Sequence, residues 1–477
     1  LTSSAASDVY KRQPHDCSPA VHFSDLLEGA MRVWDQRQMD EGVFGLALPL
    51  QGLDPLLQLA DLADADPFRF LWDGAPGLCL AAAGRCHHLE LSGPRRFELA
   101  QRFSDITLGR ILEGTPEAPA QARSRILLAF SFFEKGGELQ PQGSMPSVQA
   151  VLPRWQLSRH GRHGWLRLHG IAQQASDVRS LAESLWLMAE KLLSWRSWPG
   201  QSSGNLSGRI TPGDWERRYT TALQRGLELV NGGELHKLVL AVRHSVSLTS
   251  PLDPLLLLKR LRYQQAGSCR FLWQRNQQDS FFGASPERLL SLRNGQLRCD
   301  ALAGTAGRND HATSLLNSDK DRREHELVVQ AITEHLSAQG LQPRRPRSPQ
   351  LARHGQLIHL HTPITTPAPG QSPLALAGVL HPTPAVAGLP RREAMSWLRS
   401  LEPFDRDGYA APIGWIDSAG DAELRVAIRC GHARGTQLDL TAGAGLVRGS
   451  VAERELQEVG LKLTVLADQL DLVSGGR

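Results

Sequence analysis

A chain of 477 residues is long enough for two or three ordinary domains or for one large α/β domain with a sizeable core. With 41% hydrophobic and 21% charged residues it reads as a soluble globular protein, and a net charge of +4 is too small to indicate nucleic-acid binding. The longest apolar runs, such as 126–129 and 255–258, are far too short to span a bilayer.

The chain opens on Leu1, and residues 1–13 (LTSSAASDVYKRQ) fit nothing downstream, so they are set aside as a non-native leader. No charged stretch leads into an apolar segment, and a cytoplasmic location is expected. Cys17, Cys79, Cys86, Cys269, Cys299 and Cys430 form no CxxC pair and are expected to be reduced, buried thiols.

An internal echo organises the chain. Leu53-Asp54-Pro55-Leu56-Leu57 leads to Arg69-Phe70-Leu71-Trp72, and Leu252-Asp253-Pro254-Leu255-Leu256 leads to Arg270-Phe271-Leu272-Trp273. Each copy predicts a helix begun by Asp-Pro and then a strand. The period is too long for a solenoid and indicates an ancient duplication with one shared core. The halves are placed at 14–200 and 214–473, divided by the loop-rich stretch 198–214. Further loops are predicted at 340–355 and 365–373. In chain order the second half predicts a helix over 215–230 and strands over 238–246, 271–273 and 281–283. A helix over 319–339 and a strand over 357–361 follow. Next come a helix over 391–401, strands over 423–428 and 437–440, and a helix over 452–470. This irregular alternation points to a mixed α/β fold with large antiparallel sheets.

The residues able to carry chemistry crowd into that half. Lys237 opens an apolar strand, either as a solvated strand-end lysine or as a base whose ammonium is disfavoured by burial at a pocket mouth. Glu287 follows Pro286 after the small residues 283–285, either as a surface carboxylate paired with Arg288 or as an acid aimed at a leaving group. Residues 303–307 (AGTAG) form a small-residue loop matching no phosphate-binding pattern. His325, Val328, Val329, Ile332 and Leu336 form a helical core stripe with Glu324 at its edge, and His325-Glu326 lacks the second histidine of a zincin. Leu456, Val459, Leu463, Leu466 and Leu470 form the last helix's stripe. Glu455, Glu458 and Lys462 share a neighbouring face, as a surface ion pair or as part of a hard-metal site. Arg429 follows a strand. Gly443 and Gly445 are read as part of a glycine-rich turn whose N–H groups could hold a carboxylate. His359 sits on a strand.

In their order, these stretches resemble the chorismate-utilising enzyme family, which includes isochorismate, salicylate, anthranilate and aminodeoxychorismate synthases. The matching segments are HKLVLA, FFGASPERLL, ALAGTAGR, DRREHELV, IHLHTPI, LHPTPAVAGLPR, LEPFDRDGYAAPIGW, VAIRCG, TAGAGLVRGS and ERELQEVGLKL, running from Glu234 to Leu463. The resemblance is weaker over residues 30–200. It implies one α/β (α+β) domain with two antiparallel sheets surrounded by helices, internally duplicated, and the site in a cleft. It also implies that Lys237 activates water and Glu287 protonates the departing hydroxyl. Glu324 and Glu458 would bind Mg²⁺. Arg429, Gly443, Gly445 and Lys462 would bind carboxylate, and Gly304, Thr305 and His359 would contact the ring.

Relatives that use ammonia resemble this sequence but typically carry Gln where Lys237 stands. The expected reaction is therefore Mg²⁺-dependent conversion of chorismate to isochorismate, an isomerisation, with salicylate formation as the alternative. Val386, where pyruvate-eliminating members tend to carry Thr, favours the first; His361 is an unusual choice in its motif. The long first half resembles the menaquinone/phylloquinone-pathway type. Chorismate is the only partner implied. No nucleic acid or membrane is expected, and a monomer is compatible with the sequence.

Overall fold

A computed structural model describes residues 21–37, 42–62, 64–74, 77–115, 118–135, 144–194, 206–210, 214–307 and 312–474. The expected leader at 1–13, Cys17 and most of the 198–214 boundary lie outside these described residues.

The first half runs α1 (Phe23–Asp35), β1 (Gly42–Gln51), α2 (Pro55–Gln58), β2 (Arg69–Asp73), β3 (Cys79–Leu91), α3 (Arg96–Gly109), β4 (Ile111–Glu113), β5 (Arg125–Phe130), β6 (Val148–His160), β7 (His163–Ala172) and α4 (Ala175–Ser194). The second begins with β8 (Ser207–Ile210), α5 (Asp214–Asn231), β9 (Lys237–Leu248), α6 (Pro254–Gln264), β10 (Cys269–Asn276), β11 (Asp279–Ser285), β12 (Arg288–Arg293) and β13 (Gln296–Gly307). It continues through α7 (Ala312–Asn317), α8 (Asp319–Ala338), β14 (Gln350–His354), β15 (Leu357–Pro367), α9 (Pro373–Leu380), β16 (Gly388–Leu389) and α10 (Arg391–Leu401). It ends with β17 (Pro412–Asp417), β18 (Ala422–Val426), β19 (Cys430–Arg434), β20 (Gln437–Val447), α11 (Ala452–Ala467) and β21 (Asp471–Ser474). No helix among the described residues is long and apolar enough to cross a membrane.

The duplication is written into the strand order. Side by side, one sheet reads β1-β7-β6-β3-β2, then β10-β11-β19-β20-β9, so the second set repeats the first in mirror order. The two halves join through the echoed segments themselves. β2 and β10 pair antiparallel, with Leu71 opposite Leu272, Phe70 opposite Trp273 and Trp72 opposite Phe271. Asp54 and Asp253 each cap a helix opened by proline, Asp54 accepting from the Leu56 N–H and Asp253 from those of Leu255 and Leu256.

A second sheet branches from the long strand β6, whose first residues pair with β5, and continues through β17, β18, β12, β13, β15 and β14. Among the described residues, every strand pairing apart from β1–β4 and β8–β21 is antiparallel. Helices α5 and α11 pack on the β9–β20 pair and α8 packs on β13. The catalytic residues expected above lie where these elements meet.

Several local expectations change. The stretch 340–355 contains strand β14, and residues 365–367 close β15 instead of opening a loop. Gly443 and Gly445 are not in a turn: they lie inside β20, opposite Ala241 and Val239 of β9. Small side chains here permit close strand packing, because a Cβ on Gly443 would sit 2.6 Å from the Leu240 carbonyl oxygen. Gly304 and Thr305 are likewise in a strand, β13, where a register shift between Ala303 and Thr305 places Gly304 at φ +72°. The last helix ends at Ala467, three residues early, and the strand predicted over 423–428 ends at Val426.

At the junction of the halves, Asp73 is fully buried and accepts from Arg262 Nε (2.8 Å), Arg270 Nε (3.0 Å) and the Cys79 thiol (3.2 Å). Burial pushes its carboxyl up, but Arg270 and Arg262 outweigh that and hold it below the usual range. Replacing Asp73 by Ala strands the buried Arg270, and urea unfolding is expected to show a loss of about 3–5 kcal/mol. A loss under about 1 kcal/mol would mean that this network is not what joins the halves.

Candidate active site

One cavity, about 660 Å³ when the solvent at its mouth is included, collects all the expected site residues: Lys237, Glu287, Gly304, Thr305, Glu324, His359, Arg429, Gly443, Gly445, Glu458 and Lys462. They come from β9, the β11–β12 turn, β13, α8, β15, the β18–β19 connection, β20 and α11, elements distant in sequence.

Lys237 is the first residue of β9, hydrogen-bonded between β20 and β16. Its side chain is 1% exposed and its Nζ lies 2.9 Å from Glu324 Oε1, so the solvated strand-end reading fails. Gly445 makes room for that pair: a Cβ there would meet Glu324 Oε1 at 2.5 Å and Lys237 Cε at 3.1 Å. Glu324 is buried at the edge of the α8 stripe His325, Val328, Val329, Ile332 and Leu336, all of which are buried as the periodicity predicts.

Glu287 is also buried, and Arg288 pairs with Asp300 (2.7 Å), not with Glu287. The turn is fixed by Ser285, whose Oγ donates to the Val426 carbonyl (2.6 Å) and accepts from the Glu287 N–H (3.2 Å). Burial pushes the Glu287 carboxyl up to about 8 against the attraction of Lys237, with Asp300 adding to the rise. At neutral pH it holds a proton and can donate it.

Arg429 has left-handed backbone (φ +51°) and is buried. One Nη contacts His359 Nε2, while His359 Nδ1 lies 3.1 Å from the Gly304 carbonyl oxygen. The chain of contacts has one consistent protonation: Nδ1 donates to Gly304 and Nε2 accepts from Arg429. Burial and the charge of Arg429 keep this imidazole's pKa well below its ordinary value. His359 thus links the Gly304 carbonyl to the Arg429 guanidinium. The other nitrogen, Nη1, is buried with no partner among the described residues, and Arg429 is one of the residues lining the cavity.

On α11, Lys462 Nζ bridges Glu458 Oε1 (2.7 Å) and the Gly443 carbonyl (2.8 Å). The surface-pair geometry of Glu458 and Lys462 is thus real, and the pair lines the cavity as well. Glu455, one turn earlier, is buried and bound to Lys320 of α8 (2.7 Å). Cations and carboxylates therefore alternate across the α8–α11 seam.

The remaining wall is apolar and was not foreseen, except for Val386: Val239, Leu302, Ala385, Tyr409 and Ile428 complete it. Tyr409 had a weak signal in the Gly-Tyr-Ala-Ala run at 408–411; the aliphatic residues look like any other core. His361 does not line the cavity and lies 3.1 Å from Asp300.

The family model for chorismate binding enzymes matches residues 27–471. The chain belongs to this family. Among chorismate-binding enzymes it is 30% identical over 436 residues to the salicylate biosynthesis isochorismate synthase of Pseudomonas aeruginosa, covering 89% of each chain. It is 30% identical over 329 residues to isochorismate synthase MenF of Escherichia coli, covering 68% of this chain and 75% of that one. The solved structure of that menaquinone-specific enzyme superposes with a TM-score of 0.75 at 26% identity, covering 94% of this chain and 99% of the other. An anthranilate synthase component I from Streptococcus pneumoniae, 18% identical with a TM-score of 0.67, shares the fold.

The buried Glu287 has a stability signature. Between its ordinary 4.5 and about 8, the folded protein holds a proton that the unfolded chain releases, so wild-type stability falls as pH rises through that window. Glu287→Gln removes this cost. Its stability relative to wild type, from urea unfolding at successive pH values, is expected to climb across the window and level off above it. A pH-independent difference would mean that Glu287 is solvated.

Proposed function

We propose that this protein is an isochorismate synthase: water attacks C2 of chorismate, the C4 hydroxyl leaves, and the ring double bonds shift. The observation that carries this reading is a buried lysine and a buried, proton-holding carboxyl lining one cavity beside an unpartnered guanidinium donor. Water is a poor nucleophile and hydroxide a poor leaving group. A base and an acid on the two sides of the ring address both, each worth roughly 10²–10⁴-fold.

Glu287 enters the reaction with its proton in place. Lys237 takes a proton from the attacking water and Glu287 gives one to the departing hydroxyl. One water enters and one leaves, so no redox partner is required. The reaction leaves an ammonium and a carboxylate, and return of one proton resets the pair. Arg429, oriented by His359, and Lys462 hold carboxylate. Val239, Val386 and Tyr409 confine the ring and exclude other water.

The donor set fits Mg²⁺. Glu324 and Glu458 reach the cavity from facing helices, and no three His, Cys, Asp or Glu side chains cluster among the described residues. Mg²⁺ suits such a site because it keeps several waters and takes substrate oxygens. Held there, it would neutralise the ring carboxylate and orient the substrate.

The Pseudomonas and Escherichia relatives, both isochorismate synthases, support isochorismate as product. They point to salicylate and menaquinone biosynthesis respectively as its use, and complementation of strains deficient in each decides between them.

Purified protein with chorismate and Mg²⁺ is expected to yield isochorismate without pyruvate. Release of pyruvate with salicylate would overturn the product assignment. Lys237→Ala is expected to abolish turnover while chorismate binding, followed by calorimetry, stays within about 3-fold; equal loss of both would make Lys237 structural. Glu458→Gln is expected to raise the Mg²⁺ concentration for half-maximal rate by about 10-fold or more, and an unchanged requirement would remove Glu458 from the metal site.

A further inference from the structure

Arg406 does not itself line the cavity, yet it binds three of the segments that do. Its guanidinium is almost completely enclosed. Nε and Nη2 donate to the Glu402 carboxylate at 2.7 and 2.5 Å, Nη1 donates to the Val386 carbonyl at 2.7 Å, and Nη2 also donates to the Val239 carbonyl at 2.7 Å. Glu402 in turn accepts from the Ala241 N–H of β9 at 2.8 Å. The Arg406 carbonyl accepts from the Tyr409 N–H at 2.8 Å. Val239, Val386 and Tyr409 are part of the apolar wall of the cavity.

The same guanidinium lies over the ring of Phe132, 4.4 Å from its centroid. Phe132 belongs to the first half, just after β5. Its N–H donates to the Asp407 carbonyl (2.6 Å), and Lys135 Nζ binds the Asp407 carboxylate (2.7 Å). Residues 132–135 thus grip the 405–409 turn from the other half of the fold.

We propose that Arg406, with Glu402 as its counter-ion, is a positioning residue that sets the distance of the ring-binding wall from Lys237 and Glu287, and that Phe132 makes this the link through which the first half of the chain shapes the catalytic cavity. The inference rests on the isochorismate synthase reading. Arginine is required for geometry: its planar fork serves two carbonyls and two carboxylate oxygens at once, which a lysine's point charge cannot do. Releasing the carbonyls of Val239 and Val386 lets the wall drift, and a shift of about 1 Å near reacting atoms is enough to cost about 10² in rate.

The test uses the full chain with chorismate and Mg²⁺. Arg406→Lys is expected to lower kcat by about 10²-fold with KM within about 3-fold, because the anion-binding groups are untouched. Its Mg²⁺ affinity, measured by calorimetry, is expected to match wild type, since Glu324 and Glu458 do not touch this network. The paired change Glu402→Gln with Arg406→Met removes both buried charges and is expected to fold with a Tm near wild type, yet to keep the low kcat. Phe132→Ala is expected to lower kcat with the 406 side chain intact. A paired variant that regains wild-type kcat, or an Arg406→Lys protein that loses kcat, KM and Mg²⁺ affinity together, overturns the positioning role. A wild-type protein that leaves chorismate unchanged overturns the functional reading instead.

Discussion

The ion pair between Lys237 and Glu324, 2.9 Å long and almost wholly enclosed, ties the start of β9 to α8 at the place where sheet and helices meet. A buried charge is costly unless a partner is held close, and a pair that is broken on one side costs more than one never made. The surroundings obey that constraint. Gly445 clears the space, Lys462 neutralises Glu458, and Lys320 neutralises Glu455. Glu287, with no cation in direct contact, meets the same constraint by keeping its proton. One rule thus produces both the carboxylates suited to a divalent cation and the acid suited to a leaving group.

The duplicated architecture explains how so many charges can be enclosed. The mirror-ordered sheet supplies a rigid frame, and the echoed strands β2 and β10 lock its halves through the buried Asp73–Arg262–Arg270 cluster. Only the second half carries the polar cavity. The first half reaches it through Phe132, packed on Arg406. The function of a largely non-catalytic half is then mechanical, holding the wall opposite the charged residues.

Much of this was legible in the sequence. The α8 stripe exposed Glu324 at its edge because a 3.6-residue period leaves few positions between core and solvent. The echo revealed the duplication because Asp-Pro capping and the Arg-Phe-Leu-Trp strand each answer a local requirement met twice. The glycines at 443 and 445 and the Gly304 region misled, since a run of small residues reads equally as a turn or as a strand crowded by its neighbours. Here the crowding comes from β9 and from Glu324, both remote in sequence. Arg406 and Glu402 lie in the matched segment LEPFDRDGYAAPIGW, but nothing singled them out within it: an Arg and a Glu four residues apart look like a surface pair, and only tertiary burial makes them a structural hub. The task of His359 also required coordinates, because it depends on which ring nitrogen faces Gly304 and which faces Arg429.

The central claim is that a water molecule, activated opposite a proton-holding carboxyl, becomes the new ring hydroxyl. Turnover of chorismate in ¹⁸O-enriched water, followed by mass spectrometry of the product, tests it directly. The account predicts that each isochorismate carries one solvent oxygen at C2, with the C4 oxygen lost. Isochorismate formed without solvent label would show that the hydroxyl migrates within the ring, and would contradict the roles given to Lys237 and Glu287.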